Sequence, residues 1–536
     1  MKIYTTFFCI LAENKTLSLN FYFKNLQNIV WAIFLCYYLF MERPKICLCL
    51  TETTIAKDLE ILNSYRNWID MVELRVDCLE NDERLHIRKF PQLAGLPCIL
   101  TIRRKTDGGF YVEGEASRTM LFARALAFAS QDIRKNFAYV DFEEDFHIPS
   151  LQDAALAFGT TIIRSAHDMN KPITDIPARL AQMRTTGYEI PKIACMPQRL
   201  EDVTKIFRQT ANLTDTRQIV IAMGPYGLPT RILADKMNSY LTFVSAETSF
   251  AKNKLGHIDP ITMNNVYNFR FLHKDTAIYG ITGYPLEATD SPVIHNEGYR
   301  KHGMNAVYIP IRSDSIEETL RFADELDIKG LSVTVPHKES VIDHLSQISN
   351  VVYEVGACNT IHKEKDGWHG FNTDSYGIKE AIKDFLGVEN LKNKKVAIIG
   401  AGGAARAVAH AVKQLKGKAC IFNRTLSKAK LIAAPYKFKW ASLGPESLHI
   451  LQHYSYLIIQ TTSKGMGASL PPTKENDPLY FYDFTGAEAL YDIVYHPDIT
   501  PVMYRAMQAG CLVSNGYSML QYQGYDQFRL FTGETY

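Results

Sequence analysis

The chain has 536 residues, 46% hydrophobic and 22% charged, with a formal net charge of +2. That length is too great for one hydrophobic core and points to several domains. The charges are well mixed, so neither nucleic acid nor a membrane surface is an expected partner. The 10 cysteines show no paired zinc-type spacing, no metal is implied, and free thiols in a reducing cytoplasm are expected.

The first 40 residues differ from all that follow. Their apolar run, IVWAIFLCYYLFM at 29–41, is shorter than the about 20 residues a helix needs to cross a bilayer. It also lacks the small-residue cleavage site of a signal peptide. Residues 1–40 are therefore expected to be a non-native or disordered extension, with translation starting at Met41. An interfacial anchor is the rival reading.

From residue 46 short apolar runs alternate with amphipathic helical stretches. Eight such runs, at 46–50, 71–77, 98–103, 138–142, 160–165, 190–196, 218–223 and 240–244, give the pattern of a (β/α)8 TIM barrel. Chemistry in such a barrel sits at the C-terminal strand ends. In Glu73-Leu74-Arg75-Val76-Asp77 the period of two sends all three charges to one face. Charges on a core strand must pair or bind a polar ligand. Arg103 ends the third run, His167 and Asp168 follow the fifth, and Lys192 lies inside the sixth. Burial favours a neutral lysine, the form that attacks a ketone to make a Schiff base, and a nearby histidine can move protons at neutral pH. Singly, each residue has a plainer role: His167 as a cap or satisfied core histidine, Lys192 reaching the rim, Glu73 with Arg75 as an ion pair.

These stretches, ELRVD, TIRRKTDGG, SAHD, PKIACMPQ and the segment of Met223, Gly224 and Arg231, resemble type I 3-dehydroquinate dehydratase over residues 41–260. The resemblance implies that Lys192 forms an imine with the substrate ketone and His167 moves the adjacent proton. It also implies that Glu73, Arg75, Arg103 and Arg231 hold the hydroxyls and carboxylate. Two positions depart from the family. Asp107 stands where Glu is usual, and the lid segment from Ser249 to His257 is longer and ends in His instead of Gln. Ser249 and His257 are the lid's candidate substrate contacts.

A new α/β pattern starts near residue 276, with no Gly/Ser-rich linker before it, so the halves are expected to pack together. Thr289 and Ser291 flank a helix start, Thr334 and Lys338 follow a strand, and Asn359 and Asp374 add an amide and a carboxylate. That set suits a small polyhydroxy ligand, although Thr289 and Ser291 also make a helix cap. Next comes KVAIIGAGGAARAVAHAVKQLKGKACIFNR at 395–424, a β–turn–α–β unit with G-x-G-x-x-A at its turn. Gly400 permits the turn and Gly402 lets backbone N–H groups approach a pyrophosphate at the helix N-terminus. Asn423 and Arg424 end the second strand, where NAD enzymes place an acid, and so favour the 2′-phosphate of NADP.

VTVPHK, ACNT, NTD, GAGGA, NRT and the late Met519, Leu520 and Gln523 resemble shikimate dehydrogenase from about residue 276 to the end. The resemblance implies a catalytic pair of Lys338 and Asp374, and substrate contacts at Thr289, Ser291, Thr334, Asn359, Tyr495 and Gln523. It places NADP(H) on Gly400, Ala401, Gly402, Gly403, Ala404, Asn423, Arg424, Thr425, Lys428, Ile493 and Gly516. Residues 276–376 plus 495–536 would form the substrate domain, and 377–494 a Rossmann domain. Together the halves are similar to the bifunctional 3-dehydroquinate dehydratase/shikimate dehydrogenase family, whose small-molecule substrates are consecutive. A dehydrogenase whose barrel is only a binding module, or one that prefers quinate, are the alternatives; Thr289 replaces the usual Ser and leaves quinate open.

Overall fold

The computed structural model describes residues 43–126, 130–184, 186–213, 217–247, 255–286 and 289–536. The apolar run at 29–41 and Ser249 therefore lie outside the described residues.

Eight parallel strands form the first sheet: β1 (Lys45–Leu50), β2 (Met71–Arg75), β3 (Cys98–Thr101), β4 (Tyr139–Glu143), β5 (Thr161–Asp168), β6 (Ile190–Cys195), β7 (Ile219–Ala222) and β8 (Leu241–Ser245). From β1 to β7 each strand pairs with the next in the chain, and β1 pairs with β8. An isolated bridge from Gln218 to Ser239 joins β7 to the start of β8, so the barrel nearly closes. Period-2 alternation explains both faces. Leu48, Leu50, Val72, Leu74 and Leu100 point out to the helices, while Cys47, Met71, Ile99, Ile163, Ile190, Ile219 and Leu241 fill the interior. One or two pleats further along the same inward rows stand Glu73, Arg75, Arg103, Asp141, His167 and Lys192. The barrel is thus apolar at its floor and charged at its C-terminal mouth.

The second sheet has the order β10-β9-β11-β13-β14-β12, with β9 (Ala277–Gly283), β10 (Ala306–Arg312), β11 (Gly330–Val333), β12 (Gln347–Ile348), β13 (Thr360–Glu364) and β14 (Gly367–Phe371). Its first three strands are parallel, β13 runs against them, and β14 and β12 return in their direction. The third sheet is wholly parallel: β15 (Lys395–Ile399), β16 (Lys418–Asn423), β17 (Lys439–Ser442), β18 (Leu457–Gln460), β19 (Ala489–Asp492) and β20 (Leu512–Ser514). Its order, β17-β16-β15-β18-β19-β20, is that of a doubly wound dinucleotide fold, with the switch point beside β15.

β20 pairs with β19, so the chain leaves the third sheet after residue 514, later than the expected boundary at 495. The helix Tyr517–Thr532 then returns to the second sheet, where the Tyr279 hydroxyl donates to the Phe531 carbonyl at 3.2 Å. It packs closely on the helix Asp374–Leu386 because Gly377 has no side chain: a Cβ there would lie 2.7 Å from the Met519 carbonyl oxygen.

The barrel docks on the second sheet through two helices, Leu200–Thr210 and Ile316–Glu325. Phe207 and Phe322 meet edge to face at 5.9 Å, flanked by ion pairs Arg208–Glu325 at 2.7 Å and Arg321–Glu201 at 3.0 Å, with Arg199 on Glu318. The absence of a flexible linker in the sequence has this packed junction as its counterpart. Among the described residues no helix is long and apolar enough to cross a membrane.

Candidate active sites

The barrel mouth holds a cavity lined by Glu73, Arg75, Arg103, Asp107, His167, Lys192, Arg231 and His257, walled by Met169, Met223 and Phe243. Seven of the eight expected barrel residues thus converge; the eighth, Ser249, lies outside the described residues. Lys192 is 5% exposed, its Nζ 2.8 Å from Oδ2 of Asp141, 3.7 Å from Oε1 of Glu73 and 4.5 Å from the centre of the Phe243 ring. Burial is thus joined by the carboxylates of Asp141 and Glu73, of which only Glu73 was named from the sequence.

Carboxylates also engage two of the three arginines. Arg75 grips Asp77 with two donors, at 3.0 and 2.8 Å. Arg103 donates to Glu143 at 2.8 Å and to Ser165 at 3.1 Å, and reaches Asp141 at 2.8 Å. Arg231 differs. It is 1% exposed, its guanidinium donates only to the Phe243 and Leu255 carbonyls, its Nε has no partner, and no carboxylate pairs with it among the described residues. Burial brings its pKa down to about 10. A buried guanidinium that lines the cavity without a counter-ion fits an anionic ligand group such as a carboxylate.

His257 is buried and His167 half-buried, each with a buried Nδ1 that meets no hydrogen-bond partner. Burial, followed by Arg103 and Lys192, pushes His167 well below the usual histidine range; burial, followed by Arg231, does the same to His257. Both rings are neutral at pH 7 and present acceptors to a ligand. Asp141 was not singled out from the sequence. Burial opposes its ionisation, but Arg103 and Lys192 outweigh burial and keep it a carboxylate. The signal was present: Tyr139-Val140-Asp141-Phe142-Glu143 has the same alternation as the Glu73 strand. Asp107, shorter than the family's Glu, pairs with Arg104 at 2.8 Å and still reaches the cavity.

In the second half Lys338 and Asp374 meet at 2.5 Å. Asn359 donates to the other carboxylate oxygen of Asp374 at 2.8 Å and to Thr373 at 2.9 Å, and lies 3.5 Å from the Gln523 side-chain oxygen. Asn359 and Gln523 are thus brought onto the Lys338–Asp374 pair. Thr289 donates to Ser291 at 3.2 Å, and the hydroxyl of Tyr495 hydrogen-bonds to Thr289. Thr334 packs on Gly283, where a Cβ would lie 2.5 Å from the threonine methyl.

The glycine loop ends beside this pair: a Cβ on Gly403 would lie 3.7 Å from Cδ of Lys338. Gly400 has φ of +113°, and a Cβ there would strike Thr461 Oγ1 at 2.6 Å, so only glycine fits. At Gly402 a Cβ would meet nothing within 4 Å, and this residue caps the helix Gly403–Gln414 without a side-chain hydrogen bond. Open space over an uncapped helix N-terminus fits a pyrophosphate. Ala401 and Ala404 complete the loop with side chains no larger than methyl. Arg424, Thr425 and Lys428 are exposed, and neither basic residue forms an ion pair among the described residues; Asn423 donates to the Thr425 carbonyl at 3.0 Å. Two exposed cations without ion pairs among the described residues fit a 2′-phosphate. Gly516 lets its backbone lie against Ile493, whose carbonyl oxygen would be 2.0 Å from a Cβ. The site therefore fits NADP.

Family models match in chain order: type I 3-dehydroquinase at residues 46–274, the shikimate dehydrogenase substrate binding domain at 281–361, and shikimate/quinate 5-dehydrogenase at 381–467. The chloroplastic bifunctional 3-dehydroquinate dehydratase/shikimate dehydrogenase of Arabidopsis thaliana is 30% identical over 493 residues, covering 87% of this chain and 78% of that protein. The NADP(+) shikimate dehydrogenase of Maridesulfovibrio salexigens is 36% identical over 266 residues, covering 48% of this chain and 93% of that protein. The solved dehydroquinate dehydratase and shikimate dehydrogenase from S. pombe has 22% identity and a TM-score of 0.40, covering 94% of this chain and 98% of that one. With a Lys–His cavity in the barrel, a Lys–Asp pair at a dinucleotide loop, and a relative of the same two-part design along most of its length, the chain belongs to the bifunctional 3-dehydroquinate dehydratase/shikimate dehydrogenase family.

Proposed function

We propose that the barrel dehydrates 3-dehydroquinate to 3-dehydroshikimate through an imine on Lys192, and that Lys338 and Asp374 then serve its reduction to shikimate. The observation that carries the proposal is Lys192, a buried amine at the barrel mouth beside the neutral imidazole of His167.

In the barrel, Arg231 receives the substrate carboxylate with its unpaired guanidinium. Lys192 passes a proton to a neighbouring base and its amine adds to the ring ketone; loss of that oxygen as water leaves the imine. The imine makes the adjacent C–H acidic. His167, neutral and with an open acceptor, takes the proton and returns it to the departing hydroxyl, so that water leaves. Hydrolysis then frees Lys192. Asp141 holds Lys192 and Arg103 at one oxygen throughout, and Glu73 and Arg75 face the hydroxyls.

In the second half the nicotinamide of NADPH, when bound, supplies the hydride. Lys338 gives a proton to the oxygen of the carbonyl being reduced. Asp374 keeps the ammonium charged and aimed, and Asn359 fixes the second oxygen of Asp374. Thr289, Ser291, Thr334, Tyr495 and Gln523 supply hydroxyl and amide groups for the ring substituents. Arg424 and Lys428 hold the 2′-phosphate.

We further propose a reducing compartment such as the cytoplasm, supported by the eight described cysteines, all free thiols. Borohydride trapping tests the barrel assignment. With 3-dehydroquinate present, the reduced adduct is expected on the peptide that carries Lys192. No adduct there would leave the barrel a scaffold.

A further inference from the structure

The helix Gly403–Gln414 does more than present its N-terminus. Arg406 and His410 lie one turn apart on the same face, as i and i+4. Each reaches the residue that directly follows one member of the catalytic pair. Arg406 Nε is 3.6 Å from Oε1 of Glu339, next to Lys338. His410 Nδ1 is 2.5 Å from Oγ of Ser375, next to Asp374. The second contact is almost wholly buried, with His410 3% and Ser375 2% exposed.

Both nitrogens of His410 are used. Burial holds the ring below its ordinary pKa against the pull of Glu354, with Lys379 adding to the lowering, so it is neutral. The Ser375 hydroxyl therefore donates to Nδ1, and Nε2–H donates to Glu354 at 3.2 Å. Glu354 is itself tied to the third sheet's side, because the Tyr436 hydroxyl donates to its carbonyl at 3.2 Å. On the other flank the Ser375 N–H donates to Asn372 at 3.1 Å, which fixes the first turn of the helix that carries Asp374. One rigid helix thus touches the cofactor loop at its start and both catalytic residues' neighbours along its length.

We infer that His410 is a positioning residue for hydride transfer, setting Asp374 of the Lys338–Asp374 pair in register with the nicotinamide through Ser375. The inference rests on the reading of Lys338 and Asp374 as the catalytic pair. Misplacement of a reacting group by about 1 Å costs on the order of 100-fold in rate, so small slips of this helix matter.

The test uses the full chain with His410→Ala, Ser375→Ala, their combination, His410→Asn and Lys338→Ala. For each, kcat and KM for 3-dehydroshikimate reduction are measured, together with the primary isotope effect from deuterated NADPH; dehydratase turnover reports folding. His410→Ala and Ser375→Ala are each expected to lower kcat by about tenfold, with KM for 3-dehydroshikimate changed by less than about twofold and a larger isotope effect. The double variant should be no worse than His410→Ala alone, because the two residues share one bond. His410→Asn, which keeps an acceptor near the Nδ1 position, should recover most of the rate. If Lys338→Ala is inactive while His410→Ala and Ser375→Ala keep wild-type kcat and isotope effect, the positioning role is wrong. Additive losses with an unchanged isotope effect would also overturn it. Retained activity in Lys338→Ala would instead overturn the catalytic pair itself.

Discussion

Lys192 and Arg103 share one oxygen: each has a nitrogen 2.8 Å from Oδ2 of Asp141, deep in the barrel mouth. The carboxylate therefore balances two buried cations, one of them the lysine proposed to form the imine. Asp141→Asn removes that charge and leaves both cations short of an acceptor. Breaking a buried pair in this way costs about 3–5 kcal/mol. The expected outcome is a matching loss in chemical denaturation of the barrel and a fall in dehydratase kcat of about 100-fold. Reduction of supplied 3-dehydroshikimate by the folded fraction should be unchanged.

The neutral state of His167 sets a pH dependence. Its folded pKa lies well below 6.5, because burial, Arg103 and Lys192 all disfavour the imidazolium. The base form thus persists as pH falls past 6.5. In a profile of dehydratase kcat/KM, the acid limb is expected below the ordinary histidine value of about 6.5. Half-loss at or above that value would show a solvated histidine in the role.

Gly402 separates folding from cofactor binding. Its φ of −101° suits any residue, and a Cβ there meets no protein atom within 4 Å. Gly402→Ala is therefore expected to leave Tm within about 1 °C, since nothing is displaced on folding. The methyl would occupy the phosphate's approach, so KM for NADPH should rise about tenfold or more. Dehydratase turnover serves as the unaffected control.

Arg424 is exposed and without an ion pair among the described residues, so its removal should cost little stability. A charged hydrogen bond to phosphate is worth about 1.5–3 kcal/mol, which is roughly 10- to 100-fold in affinity. Arg424→Ala should raise KM for NADPH by that factor and leave KM for NADH nearly unchanged. Equal effects on both cofactors would place Arg424 elsewhere than the 2′-phosphate.

Local periodicity made most of the architecture legible. The eight barrel runs were visible because alternating charges interrupt otherwise apolar strands, and β5 reaches Asp168 since His167 and Asp168 still pair with Ala194 and Cys195. The glycine turn announced β15 and its helix for the same reason. β20 was not visible as part of the third sheet: it is three residues long, partly exposed and at the sheet edge, so burial leaves little hydrophobic signature. Among site residues, Lys192, His167, Lys338 and Asp374 stood out as chemistry in unusual settings. The partners that hold them did not. Asp141 lies 51 residues from Lys192, and Asn359 lies 15 from Asp374, separations that only the completed sheets bring together. The charges of the Glu73 strand were known to need partners, but not that Arg75 would take Asp77 while Arg231 would be left for a ligand.

The most direct test of the two-site account follows enone absorbance and NADPH together after 3-dehydroquinate is added to the wild-type chain, Lys192→Ala and Lys338→Ala. Wild type should form shikimate and oxidise NADPH. Lys192→Ala should show neither signal from 3-dehydroquinate yet reduce supplied 3-dehydroshikimate normally. Lys338→Ala should accumulate enone with NADPH unspent. A wild-type chain that reduces supplied 3-dehydroshikimate but never dehydrates 3-dehydroquinate would contradict the account.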